Sequence, residues 1–241
     1  MARRHWMFYG WIVVGCIVLV MALSSGTRMS FGIALVPLSE QFGWTRTTLS
    51  TIVLITGIIT GLLQMTMGVL VDRFGPRHLL AIGVSLVGLG VWLLTAANTV
   101  WQFGLAYGLL VGVGFAATQQ VVTATLISNW FVQHRGFVQS IAGSAPAVGW
   151  MLVVPLNMSI ERAYDWTVMY RIMGTVLLVA VVPLIWIFIR NRPEDMGLSP
   201  LGEGSQGGVP SPSASPALAG LSLRQALGSG QTWKLVYLGF A

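Results

Sequence analysis

Long apolar runs alternate with short polar stretches over most of this 241-residue chain. A helix needs about 20 apolar residues to cross a hydrocarbon core about 30 Å thick, and six runs reach that length. The first run exceeds it, so we expect the first helix to tilt or bend. The pattern predicts six membrane-spanning helices, at residues 8–37, 47–71, 78–97, 101–127, 136–160 and 166–189.

The character of the chain changes after residue 189. Residues 190–220 are rich in Gly, Pro and Ser, which predicts a flexible linker. A new apolar run begins at Trp233, and nine residues at 1.5 Å each would span only about 13 Å, less than half of the core. We therefore expect an all-α membrane protein with a six-helix bundle over 1–189, a cytoplasmic linker, and a truncated seventh helix opening a second bundle over 221–241.

Composition supports a membrane protein and excludes two other classes. Hydrophobic residues make up 55% and charged residues 8% of the chain, and the mean hydropathy is +0.77. The net charge is +6, but the 13 Lys and Arg residues form no basic stripe, so we expect no nucleic-acid partner. The sequence contains no GxSxG, HExxH or Walker motif, so we expect neither an enzyme nor a cofactor or metal.

The basic residues flank the predicted helices unequally. By the positive-inside rule, the side that is richer in Lys and Arg faces the cytoplasm. Only Arg46 and Arg162 lie in loops on one side. The other side carries seven: Arg3, Arg4, Arg73, Arg77, Arg135, Arg190 and Arg192. The amino terminus and the linker are therefore predicted to be cytoplasmic, and the lipid bilayer is the surrounding medium.

A compact polar loop, Gly68 to His78, joins the second and third predicted helices. Its sequence, GVLVDRFGPRH, is similar to the helix 2–3 loop signature of the major facilitator superfamily. The resemblance rests on Gly68, Leu70, Asp72, Arg73, Gly75 and Arg77. Six helices, a polar linker and the start of a seventh also resemble the six-plus-six plan of that superfamily. The resemblance implies the amino-terminal bundle of that fold, with a missing carboxyl-terminal six-helix half as its partner.

Four further segments carry a narrower resemblance. They look like the monocarboxylate transporters and the bacterial oxalate and formate antiporter group, and are YGWIVV, RMSFGIALVPL with FGWTR, NWFVQHRG and RPEDMGL. The resemblance implies secondary transport of small organic anions by alternating access, in a bacterial inner membrane. Energy would come from an ion gradient, by symport, or from exchange, by antiport. A multidrug or sugar facilitator of the same superfamily, and a truncated product without transport activity, remain the alternatives.

Arg28 is the main candidate for binding an anionic substrate. It follows about 20 apolar residues of the first predicted helix, and a charge at membrane depth costs about 3 kcal/mol on insertion scales. Such a side chain normally faces a cavity or a partner, although an arginine that reaches the membrane surface is the alternative. Ser24 and Phe31 lie within one turn of Arg28 and would share its face.

Two adjacent glutamines, Gln119 and Gln120, interrupt the fourth predicted helix. Neighbours on a helix point about 100° apart, so at most one of them would face a central cavity directly. We list both as candidate substrate contacts, with hydrogen bonding between helices as the alternative.

For the Gly68–His78 loop we expect a conformational latch. Asp72 ends the second predicted helix and could pair with Arg135, which follows the fourth, while Gly68, Arg73, Gly75 and Arg77 complete the loop motif. The alternative is that Arg73 and Arg77 serve only to keep the loop in the cytoplasm.

Small residues recur at helix-packing spacing. Gly57 and Gly61 form a GxxxG pair in the second predicted helix, and Gly104, Gly108 and Gly112 form a double one in the fourth. Such spacing lets helix backbones approach closely in lipid. We therefore expect these glycines to lie at contacts between helices, with surfaces that slide during a conformational change as the alternative.

Overall fold

A computed structural model describes residues 3–131, 134–191 and 193 of the chain. The predicted start of a second bundle over 221–241, and the predicted linker apart from residues 190, 191 and 193, lie outside the described residues. In the described ranges there is no β-strand, and six helices are long and apolar enough to cross a membrane. The prediction of an all-α membrane fold is therefore confirmed.

The six helices are named α1 to α6. Each begins and ends within three residues of its predicted bounds, except at the end of α1, which continues five residues further. This agreement is expected, because a helix that crosses lipid must satisfy its own backbone and therefore follows the apolar run. The helices are α1 (Tyr9–Phe42), α2 (Arg46–Phe74), α3 (Pro76–Leu94), α4 (Val100–Trp130), α5 (Arg135–Ala163) and α6 (Trp166–Phe188).

Two of these helices are interrupted within their apolar spans. The helix that contains α1 consists of two segments, Arg3–Met29 and Phe31–Phe42, with Ser30 between them, and it begins before the apolar span that starts at Tyr9. In α4 the last segment is Gln120–Trp130, and Gln119 before it has an extended backbone with ψ of 178°. The bend expected in the first helix is therefore realised as a break at Ser30.

At Gly149 the backbones of α1 and α5 are in close contact. A Cβ placed on Gly149 would lie 2.7 Å from the carbonyl carbon of Ala22 and 2.8 Å from its Cα. Only a residue without a side chain fits at this distance. α1 also contacts α4 and α6. This arrangement brings the Arg28 region of α1 against α4.

The GxxxG glycines behave differently from the expectation. A Cβ on Gly57, Gly61 or Gly104 would meet no atom of a neighbouring helix within 4 Å. Gly108 and Gly112 do face α2, but only at ordinary contact distances of 3.4 Å or more. The prediction of contact was therefore wrong for the first three glycines within the described residues, because spacing does not determine which face of a helix meets its neighbour.

Candidate functional site

A cavity of about 440 Å³ surrounds the side chain of Arg28. Polar groups on its wall come from Arg28, Ser25, Ser50 and Tyr107, and the remainder of the wall is apolar or aromatic. The full lining is Ser25, Arg28, Met29, Phe31, Gly32, Leu35, Ser50, Val53, Tyr107, Phe115 and Trp150. These residues come from α1, α2, α4 and α5, so the cavity exists only in the assembled bundle.

The charge of Arg28 is held against an aromatic ring. Its guanidinium carbon lies 4.4 Å from the centroid of the Phe115 ring. An arginine over a ring face is attracted by about 0.5–2 kcal/mol, which offsets part of the cost of placing the charge at this depth. No acidic residue lies among the lining residues, so the cavity presents one uncompensated positive charge.

Tyr107 connects α4 to α1 through the backbone of Arg28. Its hydroxyl donates to the backbone carbonyl of Arg28 at 3.2 Å, and its ring lies 4.5 Å from that of Phe31. Tyr107 and Phe31 are both buried. The aromatic contacts therefore hold the backbone around Arg28 firmly, while its guanidinium reaches the cavity.

The structure brings together only some of the predicted substrate contacts. Arg28 and Phe31 line the cavity. Ser24 is 1% exposed and does not line it, and the neighbouring Ser25 does. Gln119 and Gln120 also lie away from this cavity: Gln119 forms the break in α4, and the side chain of Gln120 is 3.9 Å from the position of a Cβ on Gly143 of α5.

Sequence reasoning missed the walls that α2, α4 and α5 contribute. The most informative of these residues are Tyr107, Phe115 and Trp150. Tyr107 and Phe115 are eight positions apart, a spacing that places them in one stripe of a helix. That spacing could have indicated a shared face. It could not have indicated that the stripe meets Arg28 of another helix.

A second cavity, of about 550 Å³, lies between α2 and α4. Four threonines, Thr45, Thr47, Thr48 and Thr51, supply its polar wall, and its other lining residues are apolar or glycine, with no charged residue. It contains none of the predicted site residues. The smaller Arg28 cavity is the better candidate for an anion, because it alone of the two carries a positive charge.

At the other end of the bundle, the expected contact between Asp72 and Arg135 is not formed. Asp72 is exposed, and Arg135 donates to the carbonyl oxygens of Ser128, at 3.1 Å, and Phe131. The last carbonyls of a helix lack donors within the helix. Arg135 follows the end of α4 by five residues and donates hydrogen bonds to these carbonyls. Its guanidinium is therefore not available to Asp72 in this arrangement.

Arg77 instead contacts the end of α6. Its backbone N–H donates to Asn191 Oδ1 at 3.0 Å, and its guanidinium donates to the carbonyl of Trp186 and lies 4.7 Å from the Trp186 ring. Gly75 makes this approach possible. Its φ is +79°, and a Cβ would lie 2.8 Å from the Asn191 side chain. The loop therefore docks against α6, while Arg73 and the half-exposed Gly68 make no such contact.

Two further side chains complete the end of α6. The hydroxyl of Tyr9 donates to the Phe188 carbonyl at 3.0 Å, and Trp130 Nε1 donates to the Arg190 carbonyl at 3.0 Å. Tyr9 and Arg77 thus give donors from α1 and α3 to carbonyls in the last turn of α6, and Trp130 of α4 binds the carbonyl of Arg190 just beyond it. The chain after α6 thus leaves the bundle from a fixed position.

Comparison with known proteins agrees with this architecture. The sequence model of the Major Facilitator Superfamily matches residues 17–241. The chain is 30% identical over 166 residues to the uncharacterized MFS-type transporter YcxA of Bacillus subtilis, covering 69% of this chain and 41% of that protein. It is 27% identical over 177 residues to monocarboxylate transporter 2 of Homo sapiens, covering 72% and 36% respectively.

A third relative transports a different anion. The glycerol-3-phosphate transporter of Bacillus subtilis is 25% identical over 185 residues, covering 73% of this chain and 40% of that protein. The chain thus spans less than half the length of these relatives. The family match covers nearly all of the chain, and the six membrane-spanning helices agree with it. This chain belongs to the Major Facilitator Superfamily.

Proposed function

We propose that this chain is the first six-helix bundle of a secondary transporter for small organic anions such as monocarboxylates. The observation that carries the proposal is Arg28, a cation in a cavity of about 440 Å³ without a lining carboxylate. An uncompensated charge at membrane depth normally serves a substrate or a partner. The match to a protein named monocarboxylate transporter 2 supports the same substrate class.

The walls of the cavity favour one kind of anion. Arg28 is the only charged residue among the lining residues, so a single negative charge is matched and a second would be buried without a partner. Phe115 and the half-exposed Trp150 offer apolar surface beside the charge. We therefore rank singly charged carboxylates with an apolar body above oxalate and phosphate esters.

Alternating access needs a second bundle that closes the other side of the site. Two helices present apolar side chains outward, at Leu62 and Met65 of α2 and at Met151 and Leu152 of α5, all more than 60% exposed. We propose that these faces meet a second six-helix bundle after a linker over residues 190–220. In that assembly the exposed Asp72 and Arg73 would form the latch with the second bundle, and Arg135 would contribute where the two bundles meet.

The direction of insertion follows from charge. One end of the bundle carries the start of α1, the Gly68–His78 loop and the end of α6. The excess of basic residues at that end predicts a cytoplasmic amino terminus. We propose a bacterial inner membrane as the location, because the resemblance to the oxalate and formate antiporter group points there.

Uptake into vesicles tests the substrate class. The protein is expressed from its native gene, with any sequence that the gene encodes beyond Ala241, and reconstituted for uptake of labelled lactate, oxalate and formate. Arg28→Gln should lower lactate uptake at least about tenfold, since a charge-assisted contact of 1.5 kcal/mol or more is lost. Arg171→Gln is the matched control, because Arg171 is exposed and bonds Thr95 Oγ1 outside the cavity. Equal uptake by the two variants would refute the assignment.

The uncharged cavity of about 550 Å³ supports a second candidate, a multidrug or sugar facilitator. Such a carrier should retain uptake of its neutral substrate after Arg28→Gln. A protein without transport activity would show no uptake even in the unmodified form. Sequencing the gene downstream of Ala241 separates this last alternative from a two-bundle transporter.

A further inference from the structure

The break in α1 lies two residues after Arg28. The backbone N–H of Ser30 donates to the Gly26 carbonyl at 3.0 Å, but the N–H of Ile33 donates to the Ser30 carbonyl, three residues back, also at 3.0 Å. The regular four-residue bonding of an α-helix is therefore interrupted here. The segment after the break carries Phe31 and Leu35, which form one wall of the Arg28 cavity.

A buried side chain from α5 holds this break. Asn157 Nδ2 donates to Ser30 Oγ at 2.7 Å, and Ser30 Oγ donates to the Gly26 carbonyl at 2.8 Å. Asn157 and Ser30 are both 0% exposed. The two bonds form a continuous path from α5, through the break, to the segment of α1 before it. Across the cavity, the Tyr107 hydroxyl holds the Arg28 carbonyl from α4.

Packing alone does not account for Asn157. Its Oδ1 is buried and has no hydrogen-bond partner in the described part of the chain. An unsatisfied buried acceptor is costly, and an apolar residue of similar size would avoid that cost. The segment of α1 before the break is already fixed on α5 by the contact between Gly149 and Ala22. What the Asn157 bond adds is a constraint on the break itself.

We propose that Asn157 is a positioning residue that acts through Ser30 to set the geometry between Arg28 and the Phe31 wall of the cavity. This inference rests on the proposed function in taking Arg28 as the substrate contact. Loss of the bond lets the two segments of α1 turn relative to each other, so Arg28 and the wall no longer meet one substrate in one geometry. The cavity should then bind anions more weakly, although all of its lining residues are still present.

The first test needs no knowledge of the substrate. Gly32 lines the cavity, and a Cβ there meets no atom within 4 Å, so Gly32→Cys should be tolerated. The native Cys16 is buried. The reaction rate of Cys at position 32 with an anionic methanethiosulfonate reagent reports the local geometry. Asn157→Ala and Ser30→Ala should each change this rate about threefold or more, the effect of one membrane hydrogen bond.

The second test uses the transporter in vesicles. Asn157→Ala should raise the KM for lactate about three- to fifteenfold and change the maximal rate less. Ser30→Ala is the milder variant and should do the same. The double variant should be no worse than Asn157→Ala alone, because both substitutions remove the same bond. Ser159→Ala is the control, since the Ser159 hydroxyl is exposed and bonds only carbonyls of its own helix.

The outcomes separate this inference from the proposed function. If Arg28→Gln abolishes lactate uptake while Asn157→Ala and Ser30→Ala leave the KM and the thiol reaction rate unchanged, the positioning role is refuted and the proposed function stands. A lowered melting temperature with unchanged KM and thiol rate refutes it as well, because that result describes a purely structural bond. If Arg28→Gln keeps uptake, the proposed function fails, and the thiol rates still decide whether Asn157 holds the break.

Discussion

Replacing Gly149 by alanine should separate α1 from α5. The added Cβ would lie 2.7 Å from the Ala22 carbonyl carbon and 2.8 Å from its Cα, and these are backbone atoms that cannot rotate away. Gly26 on α1 faces the same crossing, where a Cβ would lie 2.9 Å from the Gly149 carbonyl oxygen. Carbon atoms pack at about 3.5–4.0 Å, so the two helices must part by roughly 1 Å.

The size of the effect follows from that displacement. A radial gap of 0.5–1 Å forfeits about a quarter to a half of the dispersion energy of each contact, and overpacking of this kind costs about 1–3 kcal/mol. Alanine recovers up to about 1 kcal/mol over glycine in a helix. Gly143→Ala on the same helix receives that gain without the clash, since its nearest neighbour is Gln120 Nε2 at 3.9 Å. Both variants receive the helix gain, so their free energies of unfolding should differ by the overpacking cost alone, about 1–3 kcal/mol.

Thermal unfolding in detergent measures this difference. Cys16 is the single cysteine of the chain and is buried on α1, so a thiol-reactive fluorescent dye reports the exposure of that helix on heating. Gly149→Ala should unfold at a clearly lower temperature than the unmodified protein, and Gly143→Ala at the same or a higher one. Equal unfolding temperatures for the two variants would show that the helices do not cross at Gly149.

Three further predictions concern other parts of the bundle. Gly75→Ala should lower the free energy of unfolding by about 1–2 kcal/mol, because an alanine is strained at φ of +79°. Gly68→Ala, inside α2 with no atom near its Cβ, should leave it unchanged or raise it, and equal losses in the two variants would contradict the loop geometry. Trp130→Phe should lower the free energy of unfolding by about 0.5–1.5 kcal/mol, because it removes the donor to the Arg190 carbonyl. An unchanged unfolding temperature would exclude that bond. Ser24→Ala should leave stability unchanged or raise it, because its buried hydroxyl has no partner in the described residues; reduced uptake by this variant would restore Ser24 as a substrate contact.

The sequence predicted the helices well because the bilayer imposes a length and an apolar composition on each span. Five of the six helices lie within three residues of the predicted bounds at both ends. The exception, α1, continues to Phe42 because its second segment still packs its apolar residues inside the bundle, with Leu38 0% exposed. Local pattern is a strong signal wherever the solvent is lipid.

Contacts between helices were predicted less well. The GxxxG spacing of Gly57 and Gly61 indicated a close crossing, and close backbone contact is found instead at other glycines, such as Gly149. The charges of Asp72 and Arg135 indicated a pair, and Arg135 instead satisfies carbonyls at the end of α4. Both expectations used the right residue types, but spacing and charge do not specify how a helix is rotated about its axis.

By itself the sequence determined six spans, the loop signature of the family and the presence of Arg28 within the first span. The tertiary structure alone decided which groups Arg28 meets: the ring of Phe115, the hydroxyl of Tyr107 at its carbonyl, and the Asn157 bond at the adjacent break. The physical reason is that a span requires only enough consecutive apolar residues. A site between spans depends on the relative rotation and depth of several helices, which are set by the packing of all of them together.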